Sequence, residues 1–288
     1  MTPNKFNAIF STMMEQAQQH IMFEPQNKSR ILDVHPSQIP ICPISFILNF
    51  DPDCIRQTKL VSDCILKQGT TIHALVQKYL SADERLYGCW ACPQCGQYFP
   101  QLSTVHDCPD CGCQLTYSEI PINYKGFAGH VDCVVKVNDE FWLVDFKTSS
   151  YRSMDVKINN TPQNYDFQTL AYCLLLRLQY GLKIKGRAIC YINRDNPQLF
   201  KLGGTKLITK KDLKATQKLL KEQRDLLNFL LDCKTYKEFM SNVGLQRCSN
   251  EYCKCCGNSD SELKSALKQK FKQLGGKCIR EYVEDQNE

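Results

Sequence analysis

The chain has 288 residues, of which 43% are hydrophobic, and a net charge of +6 from 36 basic and 30 acidic side chains. This length suits one large domain, or one domain with a small module, around a buried core. The mean hydropathy of −0.37 and the lack of an uncharged apolar run of about 18 residues exclude a membrane protein, while the mild positive charge permits a polyanionic partner without requiring one.

Cysteine is the most unusual part of the composition, with 18 residues. The amino terminus lacks the positive segment and apolar block of a secretory signal, so we expect an intracellular, cytoplasmic protein. Clustered cysteines in a reducing compartment bind metal more often than they form disulfides. Isolated cysteines among apolar residues are predicted to be small buried hydrophobes; these are Cys64, Cys133, Cys173, Cys190 and Cys233.

The first two predicted helices lie before the cysteine-rich region. Residues 1–34 form a helical segment whose apolar side chains recur at helical spacing and should pack on the body; they are Phe6, Ile9, Phe10, Met13 and Ala17. Residues 58–80 predict a second helix, in which Gly69 either interrupts the helix or allows close packing.

Residues 88–114 have no core periodicity and are dense in Cys, Gly and Pro, which indicates an inserted module. The module contains two knuckles separated by twelve residues: Cys92-Pro-Gln-Cys95-Gly and Cys108-Pro-Asp-Cys111-Gly. In each knuckle both sulfurs can face one ion, and the glycine permits a tight turn. The four thiolates predict a zinc ribbon, with Cys89 and Cys113 as spare ligands. The module is not notably basic, so a structural role or a protein contact is favoured over strong DNA binding.

The pattern changes to strands after about residue 118. Phe127–Val137 alternates, Asn138-Asp139 is a turn, and Glu140–Lys147 is the second strand of a hairpin. The next elements are a helix at 162–180, a buried strand at 186–192, an edge strand at 199–208 and a Lys-rich helix at 209–232 capped by Thr209. This order predicts an α/β or α+β sandwich.

Asp132 and Asp145 are predicted to face each other across this hairpin, because the turn at 138–139 lies midway between them. Cross-strand neighbours are about 5 Å apart, and two carboxylates so close repel unless a cation neutralises them. The hard ions Mg²⁺ and Mn²⁺ suit this site. Lys147 shares the face of Asp145 and could orient or deprotonate a metal-bound water or offset phosphate charge, as phosphodiester hydrolysis requires.

The simpler alternative is that Asp132 and Lys147 form an ordinary surface ion pair. Asp145 disfavours it, because an unpaired carboxylate inside an apolar strand is costly. His73 on the preceding helix and the pair Gln168 and Tyr172, four residues apart on the following helix, are expected to converge on the same face.

Four short motifs occur in chain order: Gly69-x-x-x-His73, Gly129-His-x-Asp132, Asp145-Phe-Lys-Thr148 and Gln168-x-x-x-Tyr172. Together they resemble the PD-(D/E)XK nuclease superfamily over residues 36–256, with most similarity to the RecB-like branch that includes CRISPR-associated and phage recombination exonucleases. The resemblance implies a restriction-endonuclease-like α/β core, a central mixed β-sheet flanked by helices, in residues 35–87 and 115–247.

The resemblance also implies roles for individual residues. His73, Asp132, Asp145 and the carbonyl of Phe146 would hold the Mg²⁺ or Mn²⁺ ion. Lys147 would be the catalytic lysine, and Gln168 and Tyr172 would position the lysine or the DNA.

The implied activity is that of a deoxyribonuclease, more specifically an exonuclease, of recombination, repair or replication. Its substrate would be DNA that is single-stranded or has free ends, and its partner a helicase or recombinase. The alternative is a module on a nuclease-like fold that binds DNA or protein without catalysis.

A second metal site is implied for residues 248–288, a Cys-rich segment followed by a helical tail. In iron–sulfur members of the family a Cys-Pro near the start of the core joins three carboxy-terminal cysteines to bind a [4Fe–4S] cluster. The spacing of the tail cysteines here departs from that pattern, and both zinc and a [4Fe–4S] cluster suit four thiolates. The predicted ligands are Cys42, Cys248, Cys253 and Cys256.

Overall fold

The computed structural model describes residues 3–19, 21–25, 29–53, 55–104, 107–196, 198–248, 253 and 255–285. The helices are α1 (Pro3–Gln19), α2 (Ser29–Leu32), α3 (Pro43–Asn49), α4 (Leu60–Leu80), α5 (Tyr151–Asn159), α6 (Gln163–Tyr180), α7 (Lys210–Asp232), α8 (Tyr236–Asn242), α9 (Asp260–Gln273) and α10 (Ile279–Asp285). The strands are β1 (Ile21–Pro25), β2 (Ile55–Lys59), β3 (Gly88–Ala91), β4 (Tyr98–Ser103), β5 (Thr116–Ser118), β6 (Ile120–Asn123), β7 (Ala128–Val131), β8 (Cys133–Val137), β9 (Glu140–Ser149), β10 (Ile184–Asn193) and β11 (Phe200–Leu207). Among these residues no helix combines the length and apolar character needed to cross a membrane.

The central sheet is mixed, as predicted, with the strand order β11-β10-β9-β8. Strands β9 and β10 are parallel, while β8 pairs antiparallel with β9 and β11 pairs antiparallel with β10. The β8–β9 hairpin turns at Asn138 and Asp139, whose φ angles of 49° and 62° lie in the left-handed region that tight hairpin turns require.

One predicted strand is divided. The segment Phe127–Val137 contains β7, which pairs with β6, and β8, which pairs with β9. Asp132 is the residue between them, so the chain changes partner at the first candidate acid. Alternation of apolar residues continues through this point and therefore did not reveal the break.

Helices cover both faces of the sheet. Helix α6 packs on the face that carries Leu143, and α4 packs on the face that carries Val144 and Phe146. Gly69 lies within the unbroken α4, where an added Cβ would come within 3.2 Å of Thr148 Oγ1. Close packing against β9 is therefore the correct alternative for this glycine.

The cysteine-rich module has its own sheet, with the order β4-β3-β5, which runs to Ser118, past residue 114. The module is joined to the central sheet, because Tyr87 N donates to Val134 O at 2.8 Å and Lys136 N donates to Arg85 O at 2.7 Å. Its fully buried Trp90 belongs to the same apolar cluster as Phe146. The ribbon sheet and the strand of the candidate acids thus share a core.

Burial differs from the expectation at several positions. Helix α1 forms and contacts α4, but Phe10 and Met13 are 50% and 56% exposed, and the side chains of Phe6 and Ile9 lie outside the described residues. Cys64 is exposed and Cys190 is only partly buried, whereas the other three isolated cysteines are buried. In both cases the spacing of apolar residues predicts the helix or strand, but it does not show which face of that element meets the core.

Candidate active site

Asp132 and Asp145 lie opposite each other, one residue beyond the paired residues Cys133 and Val144. Asp132 Oδ2 accepts a hydrogen bond from Phe146 N at 2.7 Å. Asp145 is 2% exposed, and its two oxygens meet different partners, Gln168 Nε2 at 2.9 Å and Lys147 Nζ at 2.7 Å. The acids and the lysine are therefore brought together at the end of β9 that β8 does not cover.

The charges of this cluster are unbalanced. Burial, and then the charge of Asp145, raise the pKa of Asp132 well above its ordinary value. Burial also raises the pKa of Asp145, although Lys147 opposes this shift. Burial lowers the pKa of Lys147, but Asp145 and Asp132 outweigh it, so the net shift is upward and the amine stays charged. Two carboxylates face one ammonium, an arrangement that a cation would stabilise.

His73 approaches the cluster from the α4 layer. Its ring lies edge-on to Phe146, with ring centroids 5.8 Å apart. Burial, and then the charge of Lys147, lower its pKa to about 4, so the imidazole is neutral near pH 7. Its Nε2 atom is buried and has no hydrogen-bond partner among the described residues. A neutral imidazole nitrogen of this kind is suited to a metal.

His73 reaches the cluster from α4, where its ring contacts Phe146 and the charge of Lys147 acts on it, whereas Gln168 and Tyr172 belong to α6. Convergence of these side chains on one site stays a prediction. The described chain contains two groups of three or more side chains whose metal-ligating atoms all lie within 4.8 Å of one another. Both groups consist of cysteines. His73, Asp132 and Asp145 are neighbours without forming such a compact group.

Gln168 and Tyr172 are buried supports. They are 7% and 4% exposed, and Gln168 holds Asp145. Their role in positioning the lysine or the DNA stays a prediction. An added Cβ on Gly129 would lie 2.9 Å from the Tyr172 hydroxyl, which explains the glycine of the Gly-His-x-Asp motif. Burial, followed by the charges of Asp145 and Asp132, raises the pKa of Tyr172.

Gln77 and Glu119 also belong to this cluster, and sequence reasoning missed both. Gln77 Nε2 donates to Glu119 Oε1 at 3.1 Å and to Asp132 O at 3.0 Å. The charge of Glu119 adds to the upward pKa shifts of Asp132 and Asp145. Gln77 lies four residues after His73 on one helix face, a signal that could have found it. Glu119 is a single acid between β5 and β6 and has no such signal.

The ribbon cysteines form one compact group. The Sγ atoms of Cys92, Cys95, Cys108 and Cys111 all lie within 4.8 Å of one another, with 3.5 Å between Cys92 and Cys111 and 3.7 Å between Cys95 and Cys108. Four thiolates around one tetrahedral zinc ion lie about 3.8 Å apart. The residues present therefore fit a single zinc ion.

The two knuckles of the ribbon have the same backbone geometry. Gly96 N donates to Cys92 O at 3.0 Å, and Gly112 N donates to Cys108 O at 2.8 Å. The φ angles of the glycines, 75° and 68°, require a residue without a Cβ. Of the spare cysteines, Cys89 Sγ donates to Pro100 O. Cys113 Sγ donates to Gln114 O and lies close to Cys92.

The second group joins distant parts of the chain. The Sγ atoms of Cys42, Cys248, Cys253 and Cys256 lie within 4.8 Å of one another. Cys42 Sγ is 3.5 Å from Cys256 Sγ and 3.7 Å from Cys253 Sγ. Cys42 also accepts a hydrogen bond from Ser45 N at the start of α3. A metal here would tie the beginning of the core to its end.

The sulfur spacing of this second group matches the spacing in the ribbon and suits thiolates that share one zinc ion. Four thiolates are also the ligand set of a [4Fe–4S] cluster. The residues present therefore suit either zinc or the cluster.

Comparison with known proteins gives one family. The family model of the PD-(D/E)XK nuclease superfamily matches residues 106–258, more than half of the chain, including Asp132, Asp145 and Lys147. No curated protein matches the chain.

Proposed function

We propose a function from the premise that the chain belongs to the PD-(D/E)XK nuclease superfamily. In this proposal the protein is a divalent-metal-dependent DNA nuclease of the RecB-like kind. It is an exonuclease that acts in recombination, repair or replication. The observation that carries this proposal is the buried cluster of two repelling carboxylates and one charged lysine, Asp132, Asp145 and Lys147.

The metal ligands in this proposal are Asp132, Asp145, His73 and the carbonyl of Phe146. The orphaned Nε2 of His73 supports its part. The N–H and C=O of one strand residue point to the same side, and the N–H of Phe146 meets Asp132, so its carbonyl faces that side too. Because the ligands are not compact, side-chain rotation on binding is part of the proposal. When bound, Mg²⁺ or Mn²⁺ would act as a Lewis acid on the phosphate and generate the nucleophilic water.

The chain's own residues prepare this site. Lys147 stays charged because of Asp145 and lies with its Nζ 5.2 Å from the centre of the Tyr165 ring. Its ammonium offsets charge on the scissile phosphate and orients the attacking water. Gln168 fixes Asp145, and Gln77 fixes the backbone beside Asp132 while holding Glu119 at the edge of the cluster.

Both cysteine groups are proposed to hold structural zinc. Zinc in the ribbon orders the sheet that shares a core with Phe146, and so supports the strand of the acids. Zinc on Cys42, Cys248, Cys253 and Cys256 closes the core between its two ends.

A non-catalytic module that binds DNA or protein is the alternative function. Such a module has no need for two buried carboxylates beside a lysine, because that arrangement destabilises the fold. The intact cluster therefore favours catalysis.

The test is hydrolysis of end-labelled single-stranded and double-stranded DNA with Mg²⁺ or Mn²⁺, using a parallel RNA substrate. Asp145→Ala and Lys147→Ala should each lower the rate by at least about 10². The matched control is Lys185→Ala, which removes an exposed lysine paired with Glu140 at the other end of the hairpin and should leave the rate unchanged. Equal activity of all four proteins would refute the catalytic assignment, and DNA binding without hydrolysis by the wild type would support the alternative.

A further inference from the structure

A groove separate from the acid cluster lies between α6, α7 and the turn that joins β6 to β7. It has a volume of about 500 Å³, within the range of ligand sites. Its floor is apolar and consists of Phe127, Leu174, Leu175, Leu178 and Leu220. Its rim is basic and consists of Lys125, Lys214, Lys218, Lys221 and Arg224.

The charge of the rim is uncompensated. Lys218 has a loose, exposed pair with Glu222 at 3.8 Å. Within the described chain the other four rim cations have no ion-pair partner, and no acidic side chain lines the groove. Helix α7 supplies Lys214, Lys218, Lys221 and Arg224, and the turn between β6 and β7 supplies Lys125. The groove therefore presents positive charge from two elements to whatever enters it.

The floor requires an apolar group between these charges. Leu178 is 42% exposed, although it is a large apolar side chain surrounded by cations. An exposed apolar surface with a polar rim is typical of a binding site for another molecule. The occupant thus combines negative charge with a bulky apolar group.

The aromatic rings argue against a nucleic acid strand. Lys125 Nζ lies 5.4 Å from the centre of the Tyr124 ring, and Arg224 Cζ lies 5.9 Å from the centre of the Phe127 ring. Bases bind single-strand sites by stacking on open aromatic faces, whereas Phe127 is 6% exposed and each ring has a cation beside it. The rest of the floor is leucine, which suits an aliphatic or aromatic side chain of a protein.

We propose that this groove docks an acidic peptide segment of a partner protein. A Leu or Phe side chain of the segment fills the floor at Leu178, and carboxylates on either side of it pair with Lys125 and with Lys214 and Lys221. This proposal goes beyond the nuclease activity and does not depend on it.

The experiment measures fluorescence anisotropy of a labelled synthetic peptide in which single Leu and Phe residues are separated by pairs of Asp. The full chain is used in its zinc-loaded form, without Mg²⁺ or Mn²⁺, so that catalysis does not enter the result. One control peptide has Ser in place of Leu and Phe, another has Lys in place of Asp, and labelled oligothymidine tests the nucleic acid occupant.

The doubly substituted variant Lys214→Glu with Lys221→Glu should lower peptide affinity at least about tenfold. The matched control, Lys210→Glu with Lys211→Glu, makes the same charge change on α7 outside the groove and should retain most of the affinity. Leu178→Ser, at an exposed position, should weaken binding without changing the unfolding temperature.

Three outcomes would overturn the proposal. They are failure of the Leu/Phe peptide to bind, equal binding of the Ser-containing peptide, and equal losses in the two double variants. Displacement of the peptide by oligothymidine, with a matching loss of oligothymidine affinity in the Lys214/Lys221 variant, would assign the groove to nucleic acid instead.

Discussion

Replacing Asp132 by asparagine should make the metal-free protein more stable while it abolishes hydrolysis. Asparagine keeps an oxygen that can accept the hydrogen bond from Phe146 N, which Asp132 accepts at 2.7 Å. It removes a carboxylate whose ionised form is disfavoured by burial and by the charge of Asp145. Catalytic groups often lower the stability of the fold that carries them, so replacing one is expected to raise the free energy of unfolding.

The magnitude follows from the arrangement of the charges. Cross-strand neighbours are about 5 Å apart, and at an effective dielectric constant of about 20 two like charges at that separation repel by about 3 kcal/mol. Attraction between Asp132 and Lys147 offsets part of this repulsion. The free energy of unfolding should rise by about 1 to 2 kcal/mol, which raises the unfolding temperature by a few degrees.

The assay is thermal unfolding of the zinc-loaded protein, with and without Mn²⁺. Without Mn²⁺ Asp132→Asn should unfold at a higher temperature than the wild type. With Mn²⁺ the wild type should gain stability and the variant should not. The control is Asp155→Asn, which removes an exposed carboxylate paired with Lys201 and should change stability by less than about 0.5 kcal/mol. A lower unfolding temperature for Asp132→Asn than for the control would refute the electrostatic reasoning.

Three further predictions concern groups around the site. Burial alone would raise the pKa of Asp166, but Arg187 and Lys206 outweigh it and lower that pKa. Because Arg187 is 3% exposed, Asp166→Asn should lower the free energy of unfolding by about 2 to 3 kcal/mol at pH 7. This stability is present above the unfolded pKa of about 4 and is lost as pH falls through the lower folded pKa, so urea titrations should show the difference closing in acid. Glu119→Gln should weaken Mn²⁺ binding by about tenfold in calorimetry, with no weakening in a Glu140→Gln control. Metal analysis should find zinc at both cysteine groups, with loss of one zinc on Cys248→Ser, whereas absorbance near about 400 nm would indicate iron–sulfur instead.

The hairpin and its opposed acids were predictable because their geometry is local. A two-residue turn sets the register of both strands, and that register places Asp132 opposite Asp145 and Lys147 on the face of Asp145. The ribbon cysteines were predictable for another reason, because two paired knuckles carry the signal of a four-thiolate site themselves. The second cysteine group was expected only from the resemblance to the family.

Other parts of the site depend on packing between distant segments, which no local pattern records. Glu119 joins the cluster because β5 of the ribbon ends beside α4, where Gln77 holds its carboxylate. Ser81, one turn beyond Gln77, receives a hydrogen bond from Tyr117 N at 2.8 Å and fixes that approach. The direction from which His73 arrives likewise depends on which face of the sheet α4 covers.

The central claim is that a divalent ion lies between the two acids. The most direct test is an anomalous-difference map from crystals of the zinc-loaded protein soaked in Mn²⁺, recorded where manganese scatters anomalously. A peak in contact with carboxylate oxygens of both Asp132 and Asp145 is the predicted result. A map with density at the cysteine groups and none between these carboxylates, at a Mn²⁺ concentration that supports hydrolysis, would contradict it.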